Sequence, residues 1–217
     1  MPLKFIISWT LAWIISLSFI ACSTQNNTPL MVSTNKPNQQ VIAPLSQPNI
    51  LFIYTDDQAP WALGRSGNPQ ALTPHLDQMA KEGLYLPNAY VTTPVCSPSR
   101  ASLLTSQYGF ETGIADWINN RKQAKTLSGH QPKLGLPQAF ETWPEILQNV
   151  GYTTSIIGKW HLGYLEQHHP THHGYDEFIG FIAGGTTPKN PTLEINGVPT
   201  KTKGLTVDIL TTHAIDF

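Results

Sequence analysis

A short run of apolar residues that ends in two aspartates constrains the fold of this chain most strongly. Residues 48–55 read Pro-Asn-Ile-Leu-Phe-Ile-Tyr-Thr, and Asp56 and Asp57 follow directly. A nearly continuous apolar run of this length is typical of a strand that is buried on both faces, as the strands of parallel sheets are. Open α/β sheets bind ligands beyond the carboxyl ends of their strands. The run therefore predicts an α/β domain with both carboxylates at its ligand-binding edge.

Strand-like and helix-like segments alternate after this run. Residues 153–163 form a second β-like segment with Lys159 and His161 at its polar end. Thr73–Gly83 and Thr142–Gly151 each have an N-cap threonine, an early proline and a closing glycine, so each predicts a helix. Their expected core-facing residues are Leu76, Met79, Ala80, Ile146, Leu147 and Val150. The alternation predicts a mostly parallel sheet with helices on both faces.

The last part of the chain carries the signals of a hairpin and a helix. Asn196-Gly197 lies between two short apolar segments and predicts a tight β-turn. Residues 206–217 have apolar residues at helical spacing, and the sequence stops there without a C-cap. We therefore expect a sheet domain that is incomplete at its C-terminus.

A single thiol lies at the start of a further predicted helix, in the run Cys96-Ser97-Pro98-Ser99-Arg100. Ser97 suits the N-cap and Pro98 the first helical position, so the helix should begin just after Cys96, with Arg100 about one turn above the thiol. Free N–H groups at a helix N-terminus and a guanidinium suit a tetrahedral oxyanion such as sulfate or phosphate. The alternative is a small buried cysteine without chemistry.

The pattern Cys-x-Pro-Ser-Arg, followed by Ala-Ser-Leu-Leu-Thr, resembles the signature of the type I sulfatases in the alkaline phosphatase-like superfamily. The resemblance covers residues 48–217 and implies an arylsulfatase-like sulfuric ester hydrolase that acts on a sulfated small molecule or carbohydrate. It also implies that a maturation enzyme oxidises Cys96 to formylglycine, whose hydrate carries two hydroxyls on one carbon. A phosphate or phosphonate monoester hydrolase of the same superfamily is the alternative.

The same resemblance assigns roles to the polar residues at the ends of the two predicted strands. Two hard carboxylates at one strand end suit Ca²⁺ or Mg²⁺, and the family comparison favours Ca²⁺ held by Asp56, Asp57 and position 96. Lys159 would contact the sulfate oxygens, and His161 would hold or deprotonate a hydroxyl of the hydrate. On an extended strand these two residues share a face. The alternatives are a turn cap for the aspartates and a solvated strand edge for Lys159 and His161.

Four of the eight histidines fall between His168 and His173. Such a cluster raises the alternative of a zinc site, but no cysteine or carboxylate pair nearby completes it. We expect a polar loop near the rim of the cleft, in which some histidines touch substrate. The adjoining segment, residues 172–178, resembles a His-Gly-Phe-Asp-type segment with a structural role in the same family.

The N-terminal part predicts export. Residues 1–22 read as a signal peptide that ends in a lipobox-like Phe-Ile-Ala-Cys, so we expect lipidation of Cys22 and a membrane-anchored lipoprotein in the bacterial periplasm or at the cell surface. Residues 23–46 are polar and Pro-rich and read as a flexible linker to a domain over residues 47–217. A net charge of −1 with 12% charged residues gives no indication of a nucleic-acid partner.

Full-length relatives carry a later histidine, an Asp-Asn metal pair and a further lysine that have no counterpart here. From the resemblance we expect this chain to be a truncated sulfatase with only part of its metal site, and inactive by itself. The alternative is an inactive remnant that binds sulfated glycans or ions at the cell surface.

Overall fold

The computed structural model describes residues 47–119 and 134–217. The predicted signal peptide over residues 1–22, the lipid attachment site at Cys22 and the linker over residues 23–46 lie outside the described residues. In the two described ranges, no helix has both the length and the apolar character needed to cross a membrane.

The chain is divided into two units between Phe52 and Ile53. The described part of the first unit is residues 47–52, which form neither helix nor strand. Three of its apolar side chains, at residues 50–52, are between 54% and 81% exposed. The second unit contains every helix and strand of the described chain.

The strand predicted over residues 48–55 does not form in this structure, and that prediction is wrong. The four strands of the sheet are other segments of the chain. A central strand of a parallel sheet needs a neighbour on each side to complete its ladder of hydrogen bonds. The apolar run therefore indicated the burial that such a strand requires, but it could not show whether neighbouring strands are in place.

The sheet is mixed. Strand β1 (Ser155–Lys159) pairs in parallel with β2 (Glu177–Phe181), which pairs antiparallel with β3 (Thr192–Ile195). Strand β4 (Val198–Lys201) continues the antiparallel part, in the order β1-β2-β3-β4. The α/β class is confirmed, but one of the three pairs, not most of them, is parallel. The two-residue link between β3 and β4 allows only an antiparallel hairpin.

The helices agree closely with the predicted segments. In the described residues they are α1 (Pro74–Glu82), α2 (Cys96–Thr105), α3 (Trp143–Asn149) and α4 (Thr206–Asp216). Short 3₁₀ turns cover Pro60–Ala62, Gly64–Ser66, Glu166–His168 and Pro170–His172.

The cap of α3 shows how the local sequence determines a helix start. The Thr142 hydroxyl accepts the Glu145 N–H at 3.5 Å, and the Glu145 carboxylate accepts the Thr142 N–H at 2.6 Å. This reciprocal pair is a capping box. The predicted core-facing side of the helix is less accurate, because Ile146 and Val150 are 49% and 54% exposed. In α1, Leu76 and Met79 are likewise exposed, so the apolar periodicity marks the helices but not their burial in the described chain.

The predicted hairpin turn is confirmed. Asn196 and Gly197 have φ values of +48° and +84°, as a type I′ turn requires. Asn196 also secures the hairpin to β2, because its N–H donates to the Phe178 carbonyl oxygen at 2.9 Å. The turn thus fixes the register of the antiparallel part of the sheet.

The core lies where α2 packs on the residues that follow β1. Ala101 of α2 and Trp160 and Leu162 beyond β1 are at most 1% exposed. The Trp160 indole N–H donates to the His168 carbonyl oxygen at 2.7 Å. The buried cluster is completed by Leu104, Ile114, Ile118, Leu136, Tyr175 and Phe178. This packing holds the start of α2 and the end of β1 next to each other.

The histidine-rich loop is only in part the polar loop that the sequence predicts, because His172 is exposed but His168 and His173 are buried. His168 and His173 are 5% and 0% exposed, and the His173 ring lies 5.7 Å from that of Trp160. Burial lowers the pKa of both imidazoles, that of His173 to about 4. His169 instead pairs with Glu194 at 2.6 Å. His168 and His173 are part of the core, where a neutral imidazole packs like a small aromatic ring.

Buried neutral histidines predict acid-sensitive folding. Because the pKa of His173 falls from 6.5 to about 4 on folding, the unfolded chain binds more protons between these values. The free energy of unfolding should therefore be highest above pH 6.5 and fall by about 3 kcal/mol for this residue as the pH drops to 4. Urea unfolding of the wild type at a series of pH values measures this loss.

The variant His173→Leu should lower the slope of stability against pH, whereas His75→Gln, at an exposed position, should leave it unchanged. A wild-type unfolding free energy that stays constant from pH 7 to pH 4 would contradict the assignment.

Candidate active site

Cys96 is the first residue of α2, and its half-buried free thiol lines a cavity of about 780 Å³. The predicted helix start is two residues too late: Val95, not Ser97, is the N-cap, and the Ser97 side chain caps nothing. The Ser97 hydroxyl accepts the N–H of Ile118 at 2.9 Å and is thereby occupied. Since Ser97, Pro98 and Ser99 are buried, the thiol is held at the end of a rigid element.

Asp56, Arg100 and Lys159 form a charged cluster beside this helix. One carboxylate oxygen of Asp56 lies 3.0 Å from Arg100 Nη2 and 2.8 Å from Lys159 Nζ. Both basic side chains are largely buried, at 12% and 9% exposure, whereas Asp56 is 42% exposed. Partial burial opposes ionisation of Asp56, but the hydrogen bonds and charges of Lys159 and Arg100 lower its pKa overall. Two cations share one anion, so the cluster has a net charge of +1 and attracts anions.

Tyr54 supports Arg100 in a way that sequence reasoning missed. The guanidinium carbon lies 5.4 Å from the centre of the Tyr54 ring, a cation–π contact. The Tyr54 hydroxyl is 2.5 Å from the Ser99 hydroxyl, and Arg100 Nη1 donates to the Lys159 carbonyl oxygen at 2.9 Å. The position of Tyr54 two residues before Asp56 is a weak signal that could have indicated this role.

His161 lies in the wall of the same cavity as Cys96 and is 1% exposed. Its Nε2 is 2.8 Å from the Ile118 carbonyl oxygen, so Nε2 carries the proton and Nδ1 is an acceptor. Nδ1 is buried and has no hydrogen-bond partner in the described chain. Burial, together with the Lys159 and Arg100 charges, lowers the pKa of the imidazole to about 4. At neutral pH His161 therefore offers a lone pair, not a charge.

Lys159 and His161 do not share a face, contrary to the prediction. Lys159 ends β1, and the backbone of His161 has a φ of +62°, which breaks the alternation of side chains along an extended strand. The ammonium group consequently turns to Asp56 and the imidazole to Ile118. The two residues thus have different polar partners, Asp56 for the ammonium group and Ile118 for the imidazole.

Gly184 allows the loop after β2 to pack on the His161 ring. A Cβ atom at this position would lie 2.6 Å from Cε1 and 2.7 Å from Nε2 of His161, closer than carbon atoms approach in proteins. At the next residue, Gly185, a Cβ atom would meet nothing within 4 Å. Sequence reasoning did not single out this Gly-Gly pair, although paired glycines are a recognised sign of close backbone approach.

Asp56 and Asp57 fit the donor type of a hard cation but do not form a complete site. The chain bends at these two residues, as shared binding of one ion would require, and Asp57 is exposed without a side-chain hydrogen bond in the described chain. Ca²⁺ takes six to eight oxygen ligands. One oxygen of Asp56 is shared by two cations, and no group of three His, Cys, Asp or Glu residues in the described ranges could hold a metal ion. The two carboxylates could therefore provide only part of a coordination shell.

The glycine pair provides a matched test of the His161 environment. Gly184→Ala should displace the imidazole, break its bond to the Ile118 carbonyl and destabilise the fold by about 1–3 kcal/mol, the usual cost of overpacking. Gly185→Ala should be neutral or stabilise by less than about 1 kcal/mol. Urea unfolding gives the stabilities, and the imidazole NMR signals report the His161 environment. Equal stabilities and identical imidazole signals in both variants would contradict the assigned contact.

Comparison with known proteins places this arrangement in a family. Residues 48–217 match the Sulfatase family model. N-acetylgalactosamine-6-sulfatase of Homo sapiens is 42% identical over 133 residues, which are 61% of this chain and 25% of that protein. The chain thus spans about a quarter of the length of this curated relative.

Two solved structures share the fold. The crystal structure of Ps i-CgsB in complex with k-i-k-neocarrahexaose has a TM-score of 0.66 and 29% identity, over 75% of this chain and 39% of that one. BT4656 in complex with its substrate D-glucosamine-2-N,6-O-disulfate has a TM-score of 0.63 and 31% identity, over 78% of this chain and 31% of that one. With the family match over most of its length, the chain belongs to the sulfatase family and has part of the alkaline phosphatase-like α/β fold.

Proposed function

We propose that the whole protein hydrolyses sulfate monoesters at a reaction centre marked by Cys96. The observation that carries this proposal is that Cys96 and His161 line one cavity, while Arg100, on the same helix as Cys96, belongs to a cationic cluster. His161 Nδ1 is a buried acceptor without a hydrogen-bond partner in the described chain. Membership of the sulfatase family supports the reaction type.

The basic residues would bind the sulfate group. Arg100 and Lys159 are held by Asp56 with their charges only half neutralised, so the positions of both donors are fixed before substrate arrives. Arg100 Nε is buried and has no hydrogen-bond partner in the described chain, so it is a further open donor. An anion that approaches Arg100 and Lys159 would meet positive charge that is already in position.

Position 96 would supply the nucleophile after oxidation of Cys96 to formylglycine by a maturation enzyme. When present, the hydrated aldehyde would supply two hydroxyls on one carbon. One could attack sulfur with expulsion of the ester's alcohol, and the other could re-form the aldehyde as the C–O bond to sulfate breaks. His161 Nδ1 would accept a hydrogen bond from a hydroxyl at position 96 and so orient it. The lowered pKa keeps this nitrogen unprotonated at neutral pH, when an acceptor is needed.

Asp56 and Asp57 would contribute two carboxylates to a Ca²⁺ site, completed by ligands beyond the described residues. The cation would add positive charge where the sulfate binds. Their hard oxygens and the bend between them support this proposal, and the exposure of Asp57 leaves its carboxylate accessible.

We also propose that the protein is exported and held to a membrane by a lipid on Cys22. The support is the sequence of residues 1–22, with its apolar stretch and terminal Phe-Ile-Ala-Cys. A lipid anchor would place the sulfatase domain at the end of the polar segment of residues 23–46, outside the cytoplasm.

Maturation and turnover test the main proposal together. The whole protein, produced with a formylglycine-generating enzyme, should show loss of the sulfur atom in the Cys96 peptide by mass spectrometry, and it should hydrolyse 4-nitrophenyl sulfate. Cys96→Ala should have neither property. Lys159→Ala should be matured like the wild type but lose roughly 10²–10³ in kcat, the usual effect of removing one preorganised donor. A matured whole protein without turnover would refute the proposed activity, whereas residues 1–217 alone are expected to be inactive.

The cation is tested by a readout that does not depend on activity. If Ca²⁺ binds only the folded protein, CaCl₂ should raise its melting temperature in proportion to the logarithm of concentration above Kd. Asp57→Asn should abolish this shift, whereas Asp208→Asn, at an exposed position on α4, should retain it. A wild type whose melting temperature is insensitive to Ca²⁺, or an Asp57→Asn variant with the full shift, would contradict the assignment.

A further inference from the structure

The loop between β2 and β3 contacts His161 directly after β2 ends. The His161 N–H donates to the Ile182 carbonyl oxygen at 3.0 Å. Two residues later, Gly184 lies so close to the His161 ring that a side chain at this position would collide with it. The first part of the loop therefore contacts both the backbone and the imidazole of His161.

The second part of the loop is bound to the start of α4. The Thr206 hydroxyl donates to the Thr187 carbonyl oxygen at 2.6 Å, and the Thr206 N–H donates to the Pro188 carbonyl oxygen at 3.0 Å. Asn190 adds two bonds to Gly204, because its N–H donates to the Gly204 carbonyl oxygen at 2.8 Å and its side-chain oxygen accepts the Gly204 N–H at 2.9 Å. The loop is thus held at both ends.

Thr206 is a firm anchor for this part of the loop. The residue is only 7% exposed, and α4 contacts β1 and β2 of the sheet. The first N–H groups of a helix have no partner within the helix, so the bond from the Thr206 N–H to the loop also satisfies the helix start. Loss of the hydroxyl would leave the Thr187 carbonyl oxygen without this partner and release the loop at this point.

The two anchored parts of the loop lie close together in the chain. Only Gly185 and Thr186 separate Gly184 from Thr187. Three consecutive Cα–Cα steps of about 3.8 Å limit the distance between the two anchor points to about 11 Å. A shift of Thr187 therefore has only two residues over which it can be absorbed before it reaches the contact between Gly184 and the imidazole.

The His161 ring depends on this packing for its orientation. Within the described chain its one ring hydrogen bond joins Nε2 to the Ile118 carbonyl oxygen, since Nδ1 has no partner. A single hydrogen bond fixes one corner of the ring but permits the ring to turn about that corner. The Gly184 contact restricts this rotation, and so sets the direction in which the Nδ1 lone pair points.

We propose that Thr206 is a positioning residue for sulfate ester hydrolysis. Its hydroxyl holds Thr187, and through Gly184 it keeps the His161 imidazole aligned with position 96. Thr206 is not one of the described residues that line the cavity, so it acts through the loop and not on the substrate. The inference rests on the proposed function, because it assigns the support of an acceptor in the same site.

A second threonine provides a matched control. The Thr202 hydroxyl donates to the Pro191 carbonyl oxygen at 2.8 Å, a bond that lies outside the segment between Gly184 and Thr187. Thr206→Val and Thr202→Val each remove one threonine-to-carbonyl bond at nearly constant shape. Thr206→Ser keeps the donor and should restore what Thr206→Val loses. A purely structural role predicts the same behaviour for the two valine variants.

Kinetics and NMR of the whole, matured protein test the inference. Thr206→Val should lower kcat for 4-nitrophenyl sulfate by roughly tenfold or more, with KM within about twofold of the wild type, because the ester still binds but the acceptor is misaligned. It should also shift the imidazole NMR signals of His161, which are assigned by their loss in His161→Gln. Thr206→Ser and Thr202→Val should stay within about twofold of the wild-type kcat and keep its His161 signals.

The outcomes separate this inference from the proposed activity. Equal kcat values for the two valine variants, or unchanged His161 signals in Thr206→Val, would overturn the positioning role while the activity stands. If the wild type cleaves no ester, the proposed function fails, and the His161 signals of the two valine variants still decide whether Thr206 positions the imidazole.

A further variant keeps the test open if Thr206→Val does not fold. Asn190→Gly removes the acceptor of the Gly204 N–H at a residue with a φ of +51°, which glycine adopts without strain. Because it weakens the same attachment of the loop to α4, it should also shift the His161 signals. Unchanged signals in this variant would overturn the positioning role.

Discussion

The peptide groups of Ile118 connect the two halves of the candidate active site. Its N–H donates to the Ser97 hydroxyl at 2.9 Å, one residue from the thiol, and its carbonyl oxygen accepts the His161 Nε2–H at 2.8 Å. Ile118 itself is 1% exposed, so both bonds form in a dry environment where they are strong. The tautomer of His161, and with it the availability of Nδ1, depends on this one residue. This link adds to the hydrogen bond from Arg100 Nη1 of α2 to the Lys159 carbonyl oxygen at the end of β1.

Asp56 makes a second connection in the site, between Arg100 and Lys159. It holds Arg100 and Lys159 close together, which their mutual repulsion would otherwise oppose. The same carboxylate is a proposed cation ligand, and these two roles compete for its oxygen atoms. A cation at Asp56 would therefore loosen the two basic side chains, and an arriving sulfate would restore the balance of charge. Binding of cation and anion at this site would then be mutually favourable.

The sequence predicted the helices and the hairpin well, because their signals are local. The capping pair of Thr142 and Glu145 and the turn at Asn196-Gly197 depend on neighbours in the chain. The strand over residues 48–55 was predicted wrongly because its formation depends on distant strands. The cluster of Asp56, Arg100 and Lys159 was predicted as a set of residues, but their ion pairs were not, since the pairing arises from tertiary geometry. The contributions of Ile118, Gly184 and Tyr54 were missed for the same reason.

The contribution of Ile118 comes entirely from its main chain. Any apolar residue that fills the same part of the core would leave both bonds intact, so the link is encoded in the path of the backbone. A mutational scan would score this position by how well each side chain packs among its buried neighbours. The segment would then look like ordinary core, although it links Ser97, next to the proposed nucleophile position, to the His161 imidazole.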